Sequence, residues 1–423
     1  MIIILDILTD SMTSDKFFLP PYIDTAIIGS GPHALTLAAH LLQKSKKSHS
    51  KFLVFDPSGA WLSQWKQQFN AFQIPHLRSP VVHHPESNAF ALRAFAEKRQ
   101  TELFPPYDLP GTQLFQDFCT EVVQHWQLAS KIYPSLVTRL EILQQGYQLW
   151  LNEGRSIKAR RVVLAHRGGK AYWPAWAIEA LKNCPAIAAE NRLQHSSQID
   201  LRRVQVSGER ILIVGGGLTS GHLAVGAIQA GAQVTMMHRR QFYDKLFDAD
   251  PGWLGPKYLK GFEANRNWAE KFDLVKNARN GGSLTPAIMN QLRQAEKLDK
   301  LDFLENCEVQ QAIWQQEHWL VTCHNQQRLG FDQIWLATGT QLNVNNEPLL
   351  AELRAKYPTE TFGGLPVLDA HLRWPGSQVF LMGGLAALRV GPTARNLSGA
   401  RMASDRIVPA LTKASVCLAP RLL

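Results

Sequence analysis

The sequence has no apolar run long enough to span a bilayer. Its opening stretch, Met1 to Leu8, is short, contains Asp6 and lacks a basic flank. Met1 to Pro21 reads as a loosely attached extension, and the chain as a cytoplasmic protein with no integral membrane segment. Cysteine is sparse: Cys119, Cys184, Cys307, Cys323 and Cys417 are far apart, and no two stand as CxxC. That excludes a disulfide framework and argues against a zinc site and a redox-active dithiol, so a reducing compartment is expected. No block of like charge occurs either. The 45 Lys and Arg and 35 Asp and Glu, for a net +10, are scattered, which suits anionic small ligands and argues against nucleic acid. His76, His83 and His84 have no Cys or carboxylate at ligand spacing, so no metal is expected.

With 423 residues, 45% of them hydrophobic, the chain has material for two cores. The most informative stretch runs from Thr25 to Asp56. An apolar run to Ile28 meets Gly29, Ser30, Gly31, Pro32, His33 and Ala34. An alanine- and leucine-rich segment then leads to a second run, Phe52 to Phe55, closed by Asp56. A strand that stops in glycines and turns at once into a helix aims free N–H groups and a positive dipole end at one point, where a pyrophosphate is held. An acid about 25 residues after the turn is placed to accept hydrogen bonds from a ribose. Ala34 replaces the usual third glycine and is still small enough for helix and strand to pack closely.

A second signature follows: Ile211 to Val214, then Gly215, Gly216, Gly217, Leu218, Thr219 and Ser220. The helix after it runs to Ala230, and the next strand, Val234 to Met237, ends in His238, Arg239 and Arg240. Guanidinium groups in the place of the acid welcome a 2′-phosphate, so this site is read as binding NADPH. The hairpin at Tyr147 to Ala165 and the one at Trp319 to Ala337 form a weak internal repeat. Short helices are predicted at Phe90 to Arg99 and Gln113 to Trp126 in the proline-rich stretch before the first hairpin, and another at Pro286 to Leu298. The turn-rich segment from Phe247 to Gly255 lines a pocket or caps a domain. Near the end, Val379 to Met382, Gly383 and Gly384 lead to Pro392, Thr393 and a helix to about Ala410. Here strand, glycines and helix start suit the electron-rich edge of a flavin.

This layout resembles the flavin-dependent N-hydroxylating monooxygenases, the lysine and ornithine N-hydroxylases, and more distantly the flavin-containing monooxygenases. Asp332 followed by Leu336, Ala337, Thr338, Gly339 and Thr340 is similar to the family's D-x3-L/F-A-T-G-Y signature, with Thr340 in place of Tyr. Ser58 to Trp61 resembles the motif after the FAD ribose acid. Phe72, Gln73 and Arg78 resemble an M-Q-x4-K stretch beside the flavin ring, with Arg for Lys.

The resemblance implies an α/β fold of two Rossmann-like dinucleotide-binding domains, a glutathione-reductase-like flavoprotein with the NADP domain inserted in the FAD domain. The expected boundaries are 22–205 and 331–423 for the FAD domain and 206–330 for the NAD(P) domain. It further implies FAD and NADPH as cofactors and molecular oxygen and a small molecule as substrates. Oxygen would be taken up as a C4a-hydroperoxide and one atom passed to a nitrogen or sulfur nucleophile. Gln73 is the expected donor near the reacting flavin carbon, Arg78 a residue for NADP phosphate or an acidic substrate, and Trp61, Thr338 and Gly339 cofactor contacts. A dehydrogenase that reduces a quinone and a flavin-binding regulatory protein stay open as alternatives.

Overall fold

The computed structural model describes residues 19–166, 168–186, 191–279 and 281–413. Most of the expected N-terminal extension, and Cys417, lie outside them. Ten strands form the parallel part of two sheets. We number them in chain order: β1 Tyr22–Ile28, β2 Phe52–Phe55, β3 Ile132–Tyr133, β4 Ser156–Leu164, β5 Leu193–His195, β6 Arg210–Val214, β7 Gln233–His238, β8 Leu301–Glu305, β9 Gln333–Leu336 and β10 Val379–Leu381.

The first sheet runs β10-β4-β1-β2-β3 and the second β5-β9-β6-β7-β8, with all of these pairings parallel; the first sheet is extended at β4 by two antiparallel strands, Tyr147–Leu151 and Val137–Ile142. The two halves are therefore built alike. In each, the strand before the glycine turn is central, and the strand beside it follows an antiparallel meander. Val137–Ile142 and Tyr147–Leu151 precede β4; Val309–Gln315, His318–Cys323 and Arg328–Phe331 precede β9. The repeat seen in the two hairpins is this duplication.

Two strands of the second sheet, β5 and β9, lie outside the expected 206–330 span. The reason is topological: β6 needs a parallel neighbour on each side, and β9 fills one of those places and carries β5 on its far edge. Both expected boundaries thus cut a sheet instead of falling between sheets.

Helix α1, Pro32–Lys44, starts with proline at its first position, where the missing N–H costs nothing. Ala34 to Leu42 are all buried, because this helix packs between the first sheet and the helix Leu397–Thr412. Helix α2, Leu218–Gln229, occupies the matching place in the second half. Its Gly221 and Gly226 let Ile288 and Leu201 come close.

The proline-rich stretch contains helices Ser63–Ala71, Ala91–Phe95 and Thr112–His125. The second is shorter than predicted: beyond it Arg99 turns to pair with Glu102 and Asp117. Segment 241–279 holds more helix than the turn-rich stretch Phe247 to Gly255 suggests. It holds helices Pro256–Ala264 and Trp268–Arg279, and Trp253, Phe262 and Val275 pack into the core of the first half. This segment therefore leaves the second sheet and closes over the first. Among the described residues no helix is long and apolar enough to cross a membrane.

The segment 392–395 rests directly on the helix Leu397–Thr412 at Gly399, where an added Cβ would stand 2.1 Å from the Thr393 carbonyl oxygen. Gly399→Ala is predicted to lower stability by about 1–3 kcal/mol, an overpacking cost. Urea denaturation measures it, and an unchanged midpoint would show that this contact is not tight.

Candidate functional site

At the first turn Gly29 has φ +98°, and a Cβ there would stand 2.7 Å from His166 Cα. Only glycine fits. Gly31 precedes α1, no side chain caps the helix, and a Cβ at Gly31 would meet nothing within 4 Å. The start of α1 is therefore uncapped, with room beside Gly31, as an anion site requires. Asp56, half-buried at the end of β2, holds the turn. One oxygen accepts from Ser30 N–H at 3.0 Å; the other accepts from Ser58 N–H at 3.0 Å and from its hydroxyl at 2.6 Å. The Nε2 of His33 meets the Ala394 carbonyl oxygen at 3.0 Å. Burial lowers the His33 pKa, although the bond to Ala394 opposes this. That bond fastens the segment with Pro392 and Thr393 beside the first turn. The Thr393 side chain is buried, with its hydroxyl toward Met402 Sδ, so only backbone is offered by this segment's Thr.

Trp61 is placed differently from its expected role. It is buried, and its indole N–H already donates to the Leu128 carbonyl at 2.9 Å. It braces the loop whose next residue, Leu62, donates its N–H to Ser30 O.

At the second turn Gly215 has φ +146°, and a Cβ would stand 2.5 Å from the Ala337 carbonyl oxygen. In the first half the corresponding glycine, Gly29, meets His166, one position further along its strand. Gly216 lies under the His238 ring, and Gly217 faces Gly282, so the 281–283 backbone borders this turn closely. Leu218 and Thr219 are half-exposed in the first turn of α2. Ser220 is buried, and its hydroxyl donates to Gly217 O at 2.6 Å, so it supports the turn from within. Arg239 is exposed and, among the described residues, has no ion pair or hydrogen bond. Arg240 packs on Gly281. Thr338 and Gly339 continue β9 and so stand at the second turn, not in the FAD half. The Thr338 hydroxyl is used by Tyr172 O, whereas Gly339 leaves open space beside it.

Of the two expected catalytic residues, Gln73 is exposed at φ +51° where the halves meet: Leu201 N–H donates to the carbonyl of nearby Ala71. Arg78 is not available. Its guanidinium donates to Leu246 O at 2.7 Å, Lys245 O at 2.6 Å, Ser283 O at 3.2 Å and Ser283 Oγ at 2.8 Å. Desolvation lowers its pKa, with Asp248 opposing. A fork with so many acceptors is a clamp, and the expectation of a phosphate or substrate contact is corrected accordingly.

Four further features have no counterpart in the sequence motifs. Asp248 pairs with Arg279 at 2.7 Å, and Arg279 also donates to Pro392 O at 3.2 Å. Arg395 donates to Thr340 Oγ1 at 2.8 Å across the two halves. His166 Nε2 meets Glu347 Oε2 at 2.9 Å. Cys307 and Cys323, 16 positions apart, meet as a hydrogen-bonded thiol pair, and burial first and then that bond push Cys323 up to about 12. Buried unreactive thiols do not relay electrons. Each feature joins residues distant in sequence, which local spacing does not reveal. A cavity of about 340 Å³ at Asp24, Lys51 and Arg161 lies at the opposite end of β1 from the glycine turn. Among the described residues no group of three or more His, Cys, Asp or Glu is arranged to hold a metal.

Duplicated parallel sheets, each with a glycine turn into a helix at the same edge, define the fold of the two-dinucleotide-binding flavoproteins. Residues 26–167 match a family described as FAD-NAD(P)-binding. No curated protein matches in sequence. Among solved structures the chain is similar to an ornithine N-hydroxylase from Kutzneria sp. 744, at 18% identity and TM-score 0.75, covering 93% of this chain and 100% of that one. That enzyme was solved with reduced FAD, NADP+ and L-ornithine. An L-lysine 6-monooxygenase from Pseudomonas syringae matches at 17% identity and TM-score 0.71, covering 92% and 99%. A cadaverine monooxygenase from Erwinia amylovora, bound to FAD, matches at 16% identity and TM-score 0.71, covering 93% and 95%. The chain thus has the fold of the N-hydroxylating flavin monooxygenases.

Arg78→Ala would leave the partly buried acceptors at Leu246 and Ser283 without their donor and is predicted to cost about 1–3 kcal/mol. Denaturant unfolding reads this loss; a neutral substitution would contradict the clamp. Two histidines set a pH dependence. His84 and His222 are buried, and desolvation lowers each from 6.5 to about 4. Their folded forms are neutral while the unfolded chain binds protons, so stability is full above about 6.5 and falls as pH drops toward 4. His222→Leu is predicted to flatten the decline of melting temperature between those pH values. A decline just as steep would show that His222 is not a source of it.

Proposed function

We propose that this chain is an FAD-dependent, NADPH-using monooxygenase of the cytoplasm that oxygenates a small nitrogen nucleophile, with sulfur nucleophiles as the second choice. The observation that carries this reading is the pair of glycine turns at equivalent edges of duplicated sheets, the first followed by Asp56 and the second by Arg239. FAD belongs at the first. The open space over Gly31 and the uncapped start of α1 suit a diphosphate, Asp56 suits a ribose, and the backbone at Pro392 to Ala394 borders the flavin edge. NADPH belongs at the second, where Gly215, Gly217, Leu218 and Thr219 form the turn and Arg239 meets the 2′-phosphate.

Bound FAD supplies the oxygen chemistry, with electrons from NADPH and one atom of O2 passing to substrate. The chain's part is to bind, orient and exclude water. Gln73 offers an amide donor where the halves meet, and the helices of 256–279 close over the first half. The amines named for the similar structures make ornithine, lysine and cadaverine the first substrates to try.

The FAD-loaded protein should consume NADPH faster with one such amine, yielding about one hydroxylamine per NADPH. Rapid NADPH oxidation with a quinone and no oxygenated product from any amine or thioether would overturn the reading. Arg239→Ala should weaken NADPH binding about tenfold while leaving NADH unchanged, the worth of one charge-assisted hydrogen bond. A retained NADPH preference would mean that Arg239 does not read the phosphate.

A further inference from the structure

Three strand ends meet at the edge of the first sheet: β1 runs into Gly29, β4 into Ala165 and His166, and β10 into Met382 and Gly383. The Ala165 N–H donates to Ile28 O at 2.9 Å and the Met382 N–H donates to Leu164 O at 3.0 Å, so His166 lies between the other two. Its backbone is what Gly29 must make room for. On one side stands the turn that faces a diphosphate, and on the other the strand leading to the flavin-edge segment. Ligands of open parallel sheets bind outside the carboxyl ends of the strands, at this kind of crevice.

The duplication sharpens the position. Ala337 N–H donates to Val214 O at 2.9 Å as Ala165 N–H does to Ile28 O, so His166 occupies in the first half the place of Thr338 in the second. Thr338 has spent its hydroxyl on Tyr172 O. His166 has spent only one nitrogen. Nε2 is on Glu347 Oε2 at 2.9 Å, while Nδ1 is buried with no hydrogen-bond partner. Glu347 is itself anchored. Burial pushes its carboxyl up, but the hydrogen bond and charge of His166, with Leu349 N–H and Lys170, bring it below the usual range. A buried polar atom with no partner costs free energy that a bound ligand can recover.

We propose that His166 is an FAD-binding residue, oriented by Glu347 so that its free ring nitrogen hydrogen-bonds the ribityl–diphosphate linker of the cofactor. The proposal rests on the FAD reading of the first turn. Glu347 is then a positioning residue that acts through the imidazole, in the way a carboxylate fixes the ring of a ligating histidine. FAD affinity should depend on the Nδ1 position of the ring and much less on the Nε2 position.

Two substitutions separate these positions. The asparagine amide overlies Nδ1 of a histidine and the glutamine amide overlies Nε2. Strip the flavin, rebind FAD, and follow quenching of its fluorescence in the parent and in His166→Asn, His166→Gln and Glu347→Gln. The predicted result is a dissociation constant raised about tenfold or more in His166→Gln, which keeps the Glu347 contact, and a much smaller rise in His166→Asn, which keeps a polar group at Nδ1. Glu347→Gln, which keeps a hydrogen-bonding oxygen, should fall between parent and His166→Gln. The reverse order of the two His166 variants, or equal affinity in all, overturns the assignment while the parent's FAD binding stands. A parent that binds no FAD overturns the reading of the turn and the assignment with it.

Discussion

The structure depends on one close approach made twice: backbone against glycine where parallel strands end. Gly29 accepts His166 and Gly215 accepts Ala337, each at a distance that excludes a Cβ. Because the strands end side by side, the helix that follows each glycine begins uncapped at the crevice. Its dipole and N–H groups then act together on whatever sits there. Any residue larger than glycine would push the neighbouring strand away and move the helix start with it.

Polar links tie together the segments around the two crevices, beside the apolar packing of Trp253, Phe262 and Val275 on the first core. Arg78 ties the irregular stretch to both 245–246 and 283; Arg395 reaches Thr340; Arg279 joins Asp248 to Pro392; His33 binds Ala394. Three of these four use arginine, whose planar fork can satisfy several carbonyls at once. Part of the chain's basic excess is therefore internal stitching, not a field for anionic partners. Gln73 lies close to this seam and keeps its side chain exposed.

Much of the fold was legible because its motifs are local. Strand, glycine turn, helix and strand within 32 residues specified the first unit and, with an altered ending, the second. The duplication also showed through, since both meanders alternate with the period of a half-buried strand. What escaped was set by contacts between distant residues. No spacing rule links β5 to β9, Cys307 to Cys323 or His166 to Glu347. The helices 256–264 and 268–279 hide behind Lys, Glu and Asn, because they bury only a narrow side. Arg78 drew its expected role from a family-like stretch, but its acceptors are three backbone carbonyls and the Ser283 hydroxyl.

The central claim is that the first turn holds FAD and the second delivers NADPH to it. Its most direct test is anaerobic mixing of the FAD-loaded protein with NADPH or NADH while the absorbance of oxidised flavin is followed. The account predicts rapid bleaching by NADPH and much slower bleaching by NADH. A flavin that stays oxidised with either nucleotide, although fully bound, would contradict it.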